Sequence, residues 1–253
     1  MCSYNCRSLP KNEGSLQLKC DILTLLKEQH VICLQETWYC KQENVLLNTV
    51  FDGFHGTGEA VIDSSAGIHI GRPHSGVAIL WHSTLDSCVT SLNLGCDWMT
   101  GVKIIFQNKV ICILNVYMPV ENSNNEDEFL YRLGYLSSKI DKLDTTSFCV
   151  LVDFNANISK TPTSLFANHL TEYCSNNNLL MSSKIKLPAD SFTFISNWGT
   201  TSWLDHVICS HDFHNIITSM QVNYNVSIDD HLPVEFIMNI NSMPAMENDF
   251  SYR

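Results

Sequence analysis

The sequence has no apolar run of the roughly 18 residues needed to cross a bilayer, so no membrane partner is expected. Its first residues, Met1-Cys2-Ser3-Tyr4-Asn5-Cys6-Arg7, carry no apolar secretion signal. It has no Cys-x-x-Cys pair, and its 11 cysteines are an odd number scattered through apolar runs, as at Cys33, Cys112, Cys149 and Cys209. That excludes a complete disulfide framework and argues against a zinc site. Free buried thiols in a reducing compartment fit better, so the expected location is intracellular, nuclear or cytoplasmic. Basic residues are scarce: 15 Lys and Arg stand against 26 Asp and Glu, for a net charge of −11. Generic nucleic-acid affinity comes from Lys and Arg displacing counterions, so any DNA contact must be local and non-specific affinity weak. Charge alone favours a small phosphate ester. Repeats, low-complexity stretches and linkers are also missing, which predicts one domain over 1–240 and a monomer. Over 241–253 periodicity is lost and a disordered or loosely attached tail is expected.

What is present is a globular composition, 45% apolar, with short β-branched runs between turn residues. Val31–Leu34, Gly76–Trp81, Val102–Phe106, Val110–Tyr117, Phe148–Val152, Ser191–Ile195, Leu204–Cys209 and Leu232–Met238 read as strands. The break at Gln107-Asn108-Lys109 reads as a hairpin. Three helices are expected. Ser15 caps a stretch with Leu18, Ile22, Leu25 and Leu26 on one face. Phe129, Leu133, Leu136, Ile140 and Leu143 form a second apolar stripe, and Thr163 or Ser164 opens a third helix through Leu165, Phe166, His169, Leu170 and Tyr173. The pattern predicts an α/β fold of two packed mixed sheets with helices outside.

The chemistry lies where polar residues interrupt these runs. Three apolar strands end in Glu36, Tyr117 and Asp153, with Asn155 two residues beyond the last; Asp205 and Asp230-His231 stand at the starts of two more. In an antiparallel pair the end of one strand lies beside the start of its neighbour, so all five positions can share one rim. Taken singly, each is more often a solvated strand end, a half-buried phenol or an Asx-turn. His206 reads as structural. Carboxylates crowded together raise one another's proton affinity unless a cation neutralises them. Oxygen donors of this kind suit Mg²⁺, with Mn²⁺ the alternative, and His231 suits proton or phosphate work better than zinc binding.

In their order, Ser3-Tyr4-Asn5-Cys6-Arg7-Ser8-Leu9, Leu34-Gln35-Glu36-Thr37, Asn115-Val116-Tyr117-Met118-Pro119, Asp153-Phe154-Asn155-Ala156-Asn157, Trp203-Leu204-Asp205-His206-Val207 and Asp230-His231-Leu232-Pro233-Val234 resemble the successive motifs of the endonuclease/exonuclease/phosphatase superfamily. The likeness runs from about Ser3 to Phe236. The opening motif and Gly71-Arg72-Pro73-His74-Ser75-Gly76-Val77-Ala78-Ile79-Leu80-Trp81 resemble retrotransposon endonuclease domains in particular. The resemblance implies a four-layered α/β sandwich and Mg²⁺-assisted hydrolysis of a phosphodiester, with DNA as the partner. It implies Glu36 as main metal ligand, supported by Asn5 and Asp230. Asp153 would activate the attacking water and Asn155 orient it; His231, polarised by Asp205, would hold the phosphate, and Tyr117 would contact it or assist the leaving group. Arg7, Asn157, Thr193 and Asn197 are the candidate substrate contacts, the last two in a loop where Trp198 is set to stack on a base.

Three positions depart from the family pattern. Val152 stands where a glycine is usual, Asp229 where a serine is usual, and Arg7 where repair-type relatives carry an acid. The first two threaten activity, since a β-branched residue cannot adopt a glycine-only conformation cheaply and an added carboxylate repels phosphate. Three readings stand: a DNA-nicking endonuclease, a phosphoesterase acting on small molecules such as inositol phosphates, and an inactive relic of the same fold.

Overall fold

The computed structural model describes residues 1–66, 75–159, 163–226 and 230–243. Asp229, the Gly71–His74 part of the glycine-arginine motif, and positions 244–253 of the expected tail lie outside the described residues. Two six-stranded mixed sheets form the centre. The first runs in the order Ile217–Val222, Val234–Met238, Cys2–Asn5, Val31–Gln35, Val77–His82, Phe54–Glu59. The second runs Val89–Leu92, Met99–Phe106, Lys109–Tyr117, Phe148–Asp153, Asp205–Cys209, Leu180–Met181.

Each sheet contains one parallel pair among antiparallel neighbours: Cys2–Asn5 beside Val31–Gln35 in the first, and Lys109–Tyr117 beside Phe148–Asp153 in the second. Parallel neighbours need a crossover rather than a tight turn. The helices Cys20–Glu28 and Glu126–Ile140 supply the two crossovers. Apolar side chains fall into three clusters. One lies between the sheets, around Cys33, Ile79, Val102, Ile113, Leu151 and Val207. A second packs the helices Glu126–Ile140 and Leu165–Asn176 onto the outer face of the second sheet through Phe129, Leu133, Phe166 and Leu170. The third seats Ile22 and Leu25 on the first sheet. Helix, sheet, sheet and helix therefore stack in four layers. All 11 cysteines are free and eight of them are buried. Among the described residues, no helix is long and apolar enough to cross a membrane.

The ends of the elements differ from the sequence reading in instructive ways. Ser15 does not open the first long helix; Asn12 caps a separate turn, Glu13–Leu16, and the Ser15 hydroxyl is spent on the reciprocal bond to the Asn12 N–H. The helix proper starts at Cys20, and Leu18 is 79% exposed rather than on its apolar face. Ser191–Ile195 contributes only Phe194–Ile195 to a ladder, paired with Thr201–Ser202. The strand Phe54–Glu59 has no sequence signature because Gly56 and Gly58 interrupt it. Gly58 is needed for close approach, since a Cβ there would sit 2.8 Å from the Val77 carbonyl oxygen; one at Gly56 would sit 3.1 Å from the Ile79 carbonyl oxygen and would push Leu80 Cδ2 aside. Ile240–Ser242 forms a 3₁₀ turn held by Lys109 Nζ, which donates to the Ile240 and Asn241 carbonyls, and Met243 is buried in the inter-sheet core.

Two buried polar groups tie the layers. Asn115 is fully buried and donates from Nδ2 to the carbonyls of Leu34 and Ala78 in the opposite sheet, both at 2.8 Å; its Oδ1 accepts from Gln35 Nε2 at 2.6 Å. His206, 1% exposed on Asp205–Cys209, shares a 3.0 Å bond between Nε2 and the Ala156 carbonyl, and its Nδ1 is buried without a partner. Burial is the main cause that lowers its pKa to about 4.

Two outcomes follow. Asn115→Ala strands the Gln35 donor and two carbonyls, so chemical denaturation should show a loss of about 2–4 kcal/mol; a loss near zero contradicts an inter-sheet tie. For His206, the depressed pKa means the unfolded chain binds the proton more readily between about pH 4 and 6.5. Stability from this group is therefore full above pH 6.5 and is lost as pH falls toward 4. Between pH 6.5 and 4.5 the wild type should lose about 2–3 kcal/mol more than His206→Gln. Parallel pH profiles for the two proteins would refute it.

Candidate active site

The four C-terminal strand ends of the two parallel pairs meet at one rim. Asn5 closes Cys2–Asn5, Glu36 follows Val31–Gln35, Tyr117 closes Lys109–Tyr117, and Asp153 closes Phe148–Asp153, in register with Tyr117. Asp205 opens the neighbouring antiparallel strand directly opposite Asp153. Asp230 and His231 lie just before Val234–Met238, which pairs antiparallel with Cys2–Asn5.

One side-chain amide bonds to carboxylates of both sheets here. Asn5 Nδ2 donates to Glu36 Oε1 and to Asp153 Oδ2, both at 2.9 Å. Its Oδ1 accepts the Arg7 N–H at 3.3 Å. Asn5 thus presents N–H to both carboxylates and spaces them apart. Tyr117 O–H donates to Glu36 Oε1 at 3.1 Å, and burial, followed by the Glu36 and Asp153 charges, pushes its pKa well above the usual phenol range. It is therefore a neutral donor. Trp38 Nε1 donates to Glu36 Oε2 at 3.2 Å. Sequence reading did not single out Trp38; its place directly after the Glu36-Thr37 motif is the only signal it gives.

Asp153 and Asp205 are buried to within 2% of full burial, and His231 is 4% exposed between them. His231 Nδ1 and Asp205 Oδ2 are 2.9 Å apart, and His231 Nε2 lies 3.9 Å from Asp153 Oδ2. Burial works against charge on the imidazole, yet Asp205 and then Asp153 outweigh it and raise its pKa. Both ring nitrogens face carboxylates, Nδ1 toward Asp205 and Nε2 toward Asp153. Burial and then Asp205 raise the pKa of Asp153, opposed by His231 and Asn5. Asn155 N–H donates to Asp153 Oδ1 at 3.0 Å and Asn155 Nδ2 to the Met118 carbonyl at 3.0 Å, leaving its amide oxygen toward neither. Asn155 holds φ at 50°, a left-handed conformation that asparagine tolerates better than most residues.

Arg7 pairs with Asp230, Nη2 to Oδ2 at 2.8 Å, while 45% of its side chain stays exposed. The other Asp230 oxygen, Oδ1, is buried without a partner. Backbone strain concentrates at this rim: Arg7, Ser8, Glu36, Trp38 and Asn155 all have positive φ.

Two substrate contacts expected from sequence take other roles. Thr193 is fully buried and cannot reach a ligand; its Oγ1 accepts from the Leu204 and Asp205 N–H groups, both at 3.0 Å, and its carbonyl accepts from Leu232 N. It fixes Asp205 and the segment after His231. Asn157 is occupied at both ends, Nδ2 donating to Ser202 Oγ at 3.2 Å and Oδ1 accepting from Trp203 N at 3.2 Å. Asn197 is exposed in a turn at Ser196–Thr200 beside Trp198, which is 94% exposed. That turn stands close to the imidazole, because Ile195 N donates to the Asp230 carbonyl at 2.7 Å and Phe194 packs edge-on against His231.

Solved structures with this arrangement of layers are numerous. The endonuclease domain of TRAS1, a telomere-specific non-LTR retrotransposon, superposes with a TM-score of 0.67 at 15% identity, covering 94% of this chain and 97% of its own. The AP endonuclease LMAP from Leishmania major gives 0.73 at 15% identity, covering 94% and 86%. A 3′ phosphatase from Neisseria bound to a product DNA hairpin gives 0.69 at 13% identity, covering 94% and 98%. No curated protein is matched by the sequence itself. At these identities the structures speak for the fold alone, but the family model for the endonuclease/exonuclease/phosphatase family matches residues 2–227. The chain belongs to the endonuclease/exonuclease/phosphatase family.

Proposed function

We propose that this protein is a divalent-cation-dependent phosphodiesterase that nicks DNA, a nuclease of retrotransposon type. The observation that carries the reading is the facing pair at the rim: a buried carboxylate, Asp153, 3.9 Å from an imidazolium, His231, that Asp205 holds from behind. A water molecule and a phosphate oxygen are the two species such a pair handles together.

The donor set fits a hard cation. Glu36 and Asp230 offer oxygens, the Asp230 Oδ1 atom is buried and orphaned, and the rim carries more carboxylates than the charges of His231 and Arg7 balance. Glu36 with Asp230 would hold Mg²⁺ or Mn²⁺. When bound, the cation supplies neutralisation of charge on the phosphoryl oxygens.

The chain's own groups do the rest. Asp153 takes a proton from water; its burial beside Asp205 makes it a stronger base than a solvated aspartate. Asn155, anchored through its amide nitrogen to the Met118 carbonyl, offers its oxygen to orient that water. His231 donates from Nε2 to a non-bridging phosphate oxygen and stabilises the charge that develops there. Tyr117, a neutral phenol, spends its single O–H on Glu36 Oε1 and helps hold that carboxylate where the phosphate would meet it. Arg7 gives local positive charge on a chain that is otherwise acidic, and Asn197 with the exposed Trp198 forms the tip that meets a groove or a base.

Val152 does not speak for a relic. It sits in a regular ladder between Val116 and His206 and belongs to the cluster under the outer helices, whereas Asp153 turns to the opposite face. Its bulk therefore points away from the rim.

Purified protein should nick supercoiled plasmid with Mg²⁺ and leave it intact with a chelator. Asp153→Ala and His231→Ala should each lower kcat/KM by about 10²–10⁴. Plasmid left whole under Mg²⁺ and Mn²⁺, with turnover of inositol phosphates instead, would move the assignment to small-molecule phosphoesters. Val152→Gly should destabilise the protein by about 2–4 kcal/mol without raising nicking. Activity that appears only on that substitution would establish the relic reading.

A further inference from the structure

We infer that Trp38 is a positioning residue that fixes which oxygen of Glu36 is offered to a cation. The inference rests on the metal-dependent reading above. Glu36 Oε1 already accepts two hydrogen bonds, from Asn5 Nδ2 at 2.9 Å and from Tyr117 O–H at 3.1 Å, which together use both of its lone pairs. Glu36 Oε2 accepts one, from Trp38 Nε1 at 3.2 Å. The remaining lone pair of the carboxylate is on Oε2. The indole N–H is donor-only, so it orients that oxygen without ever competing for the cation.

The backbone is built around this contact. Glu36 and Trp38 both have positive φ, 53° and 56°, and so do Ser75 at 66° and Gly76 at 91° on the facing segment. The two segments are bonded, Thr37 N to the Gly76 carbonyl at 3.2 Å and Trp38 N to the Ser75 carbonyl at 3.0 Å. Glycine is required at position 76, since a Cβ there would lie 2.3 Å from Thr37 Oγ1. A tryptophan in the left-handed region is costly and persists only where its surroundings over-determine it. The strained pair turns both side chains, carboxylate and indole, toward each other at residues i and i+2, which an extended strand continuing past Gln35 would keep on one face but spread apart.

The test uses the full chain and Mn²⁺ alone, with free ion followed by its paramagnetic resonance signal and no substrate present. Trp38→Phe keeps ring bulk and removes the N–H; its Mn²⁺ Kd should rise about tenfold, the usual effect of losing a partner behind a metal ligand. Its unfolding midpoint in chelator should match the wild type. Trp38→His returns a nitrogen at the position of the indole Nε1 and should recover most of the affinity. In the wild type, indole emission should change with the same midpoint as Mn²⁺ binding, and Trp38→Phe should lack that change although four of the five tryptophans remain. Wild-type affinity in Trp38→Phe overturns the inference and leaves the nuclease reading intact. Equal weakening in the Phe and His variants also overturns it, since the N–H would then be irrelevant. A wild-type chain that takes up no Mn²⁺ overturns the metal-dependent reading and this inference together, and is told apart by the silence of both proteins.

Discussion

One side-chain amide spans the rim between the two sheets, beside the Tyr117–Glu36 and Asp205–His231 bonds. Asn5 Nδ2 has two hydrogens, and one goes to a carboxylate of each sheet, Glu36 in the first and Asp153 in the second. Two like charges that would otherwise push the strand ends apart are kept at a distance set by a single nitrogen. Charge-assisted hydrogen bonds of this kind are short and directional, so they constrain position as well as energy. The strained turn that follows, with Arg7 and Ser8 at positive φ, is the local cost of bringing the Asn5 amide to that point. Ser8 N and Leu9 N then bond to the Glu36 and Thr37 carbonyls, which locks the turn against the neighbouring strand end.

The electrostatics follow from that geometry. Asp153, Asp205 and His231 are all removed from water, where an unpaired charge is expensive and a hydrogen-bonded pair is tolerated. Burial, and after it the neighbouring Asp205 carboxylate, raise the proton affinity of Asp153 beyond that of a solvated aspartate, with His231 and Asn5 opposing them. Arg7 balances Asp230 at the outer edge. The result is a graded site, most anionic at its centre and screened at its lip.

Much of this was readable from residue order. Strands that stop in an acid or a phenol are visible because the apolar run ends abruptly, and the antiparallel pairing rule lets such ends share one rim; that Asp153 and Asp205 sit directly opposite is set by the ladder. The crossover helix at Glu126–Ile140 shows in its stripe of Phe129, Leu133 and Leu136. The parts that were not readable have one physical cause: they depend on backbone geometry or on long-range burial. Gly56 and Gly58 hide a strand because close approach needs no side chain at all. Thr193 looks like a surface loop residue, yet its hydroxyl is consumed by two backbone N–H groups of a strand that follows eleven residues later. Trp38 carries no periodic signal, since its role arises from a positive φ that no composition rule forecasts. Asn5 was visible as a polar residue at a strand end, but whether its nitrogen or its oxygen faces the acids is decided only by what Arg7 N–H leaves free.

The short ladder Phe194–Ile195 with Thr201–Ser202 has a mechanical meaning. Its base is riveted to the acid–imidazole pair through Thr193, through Ile195 N on the Asp230 carbonyl, and through the ring of Phe194 against His231. Its crest, Asn197 to Thr200, is fully solvated. Changes of length or sequence confined to the crest therefore leave untouched the contacts that Thr193, Phe194 and Ile195 make to Asp205, His231 and Asp230. Swapping such crests between relatives is safe only if the cut is made above Ile195 and below Thr201; a cut two residues lower would unseat the imidazole along with the loop.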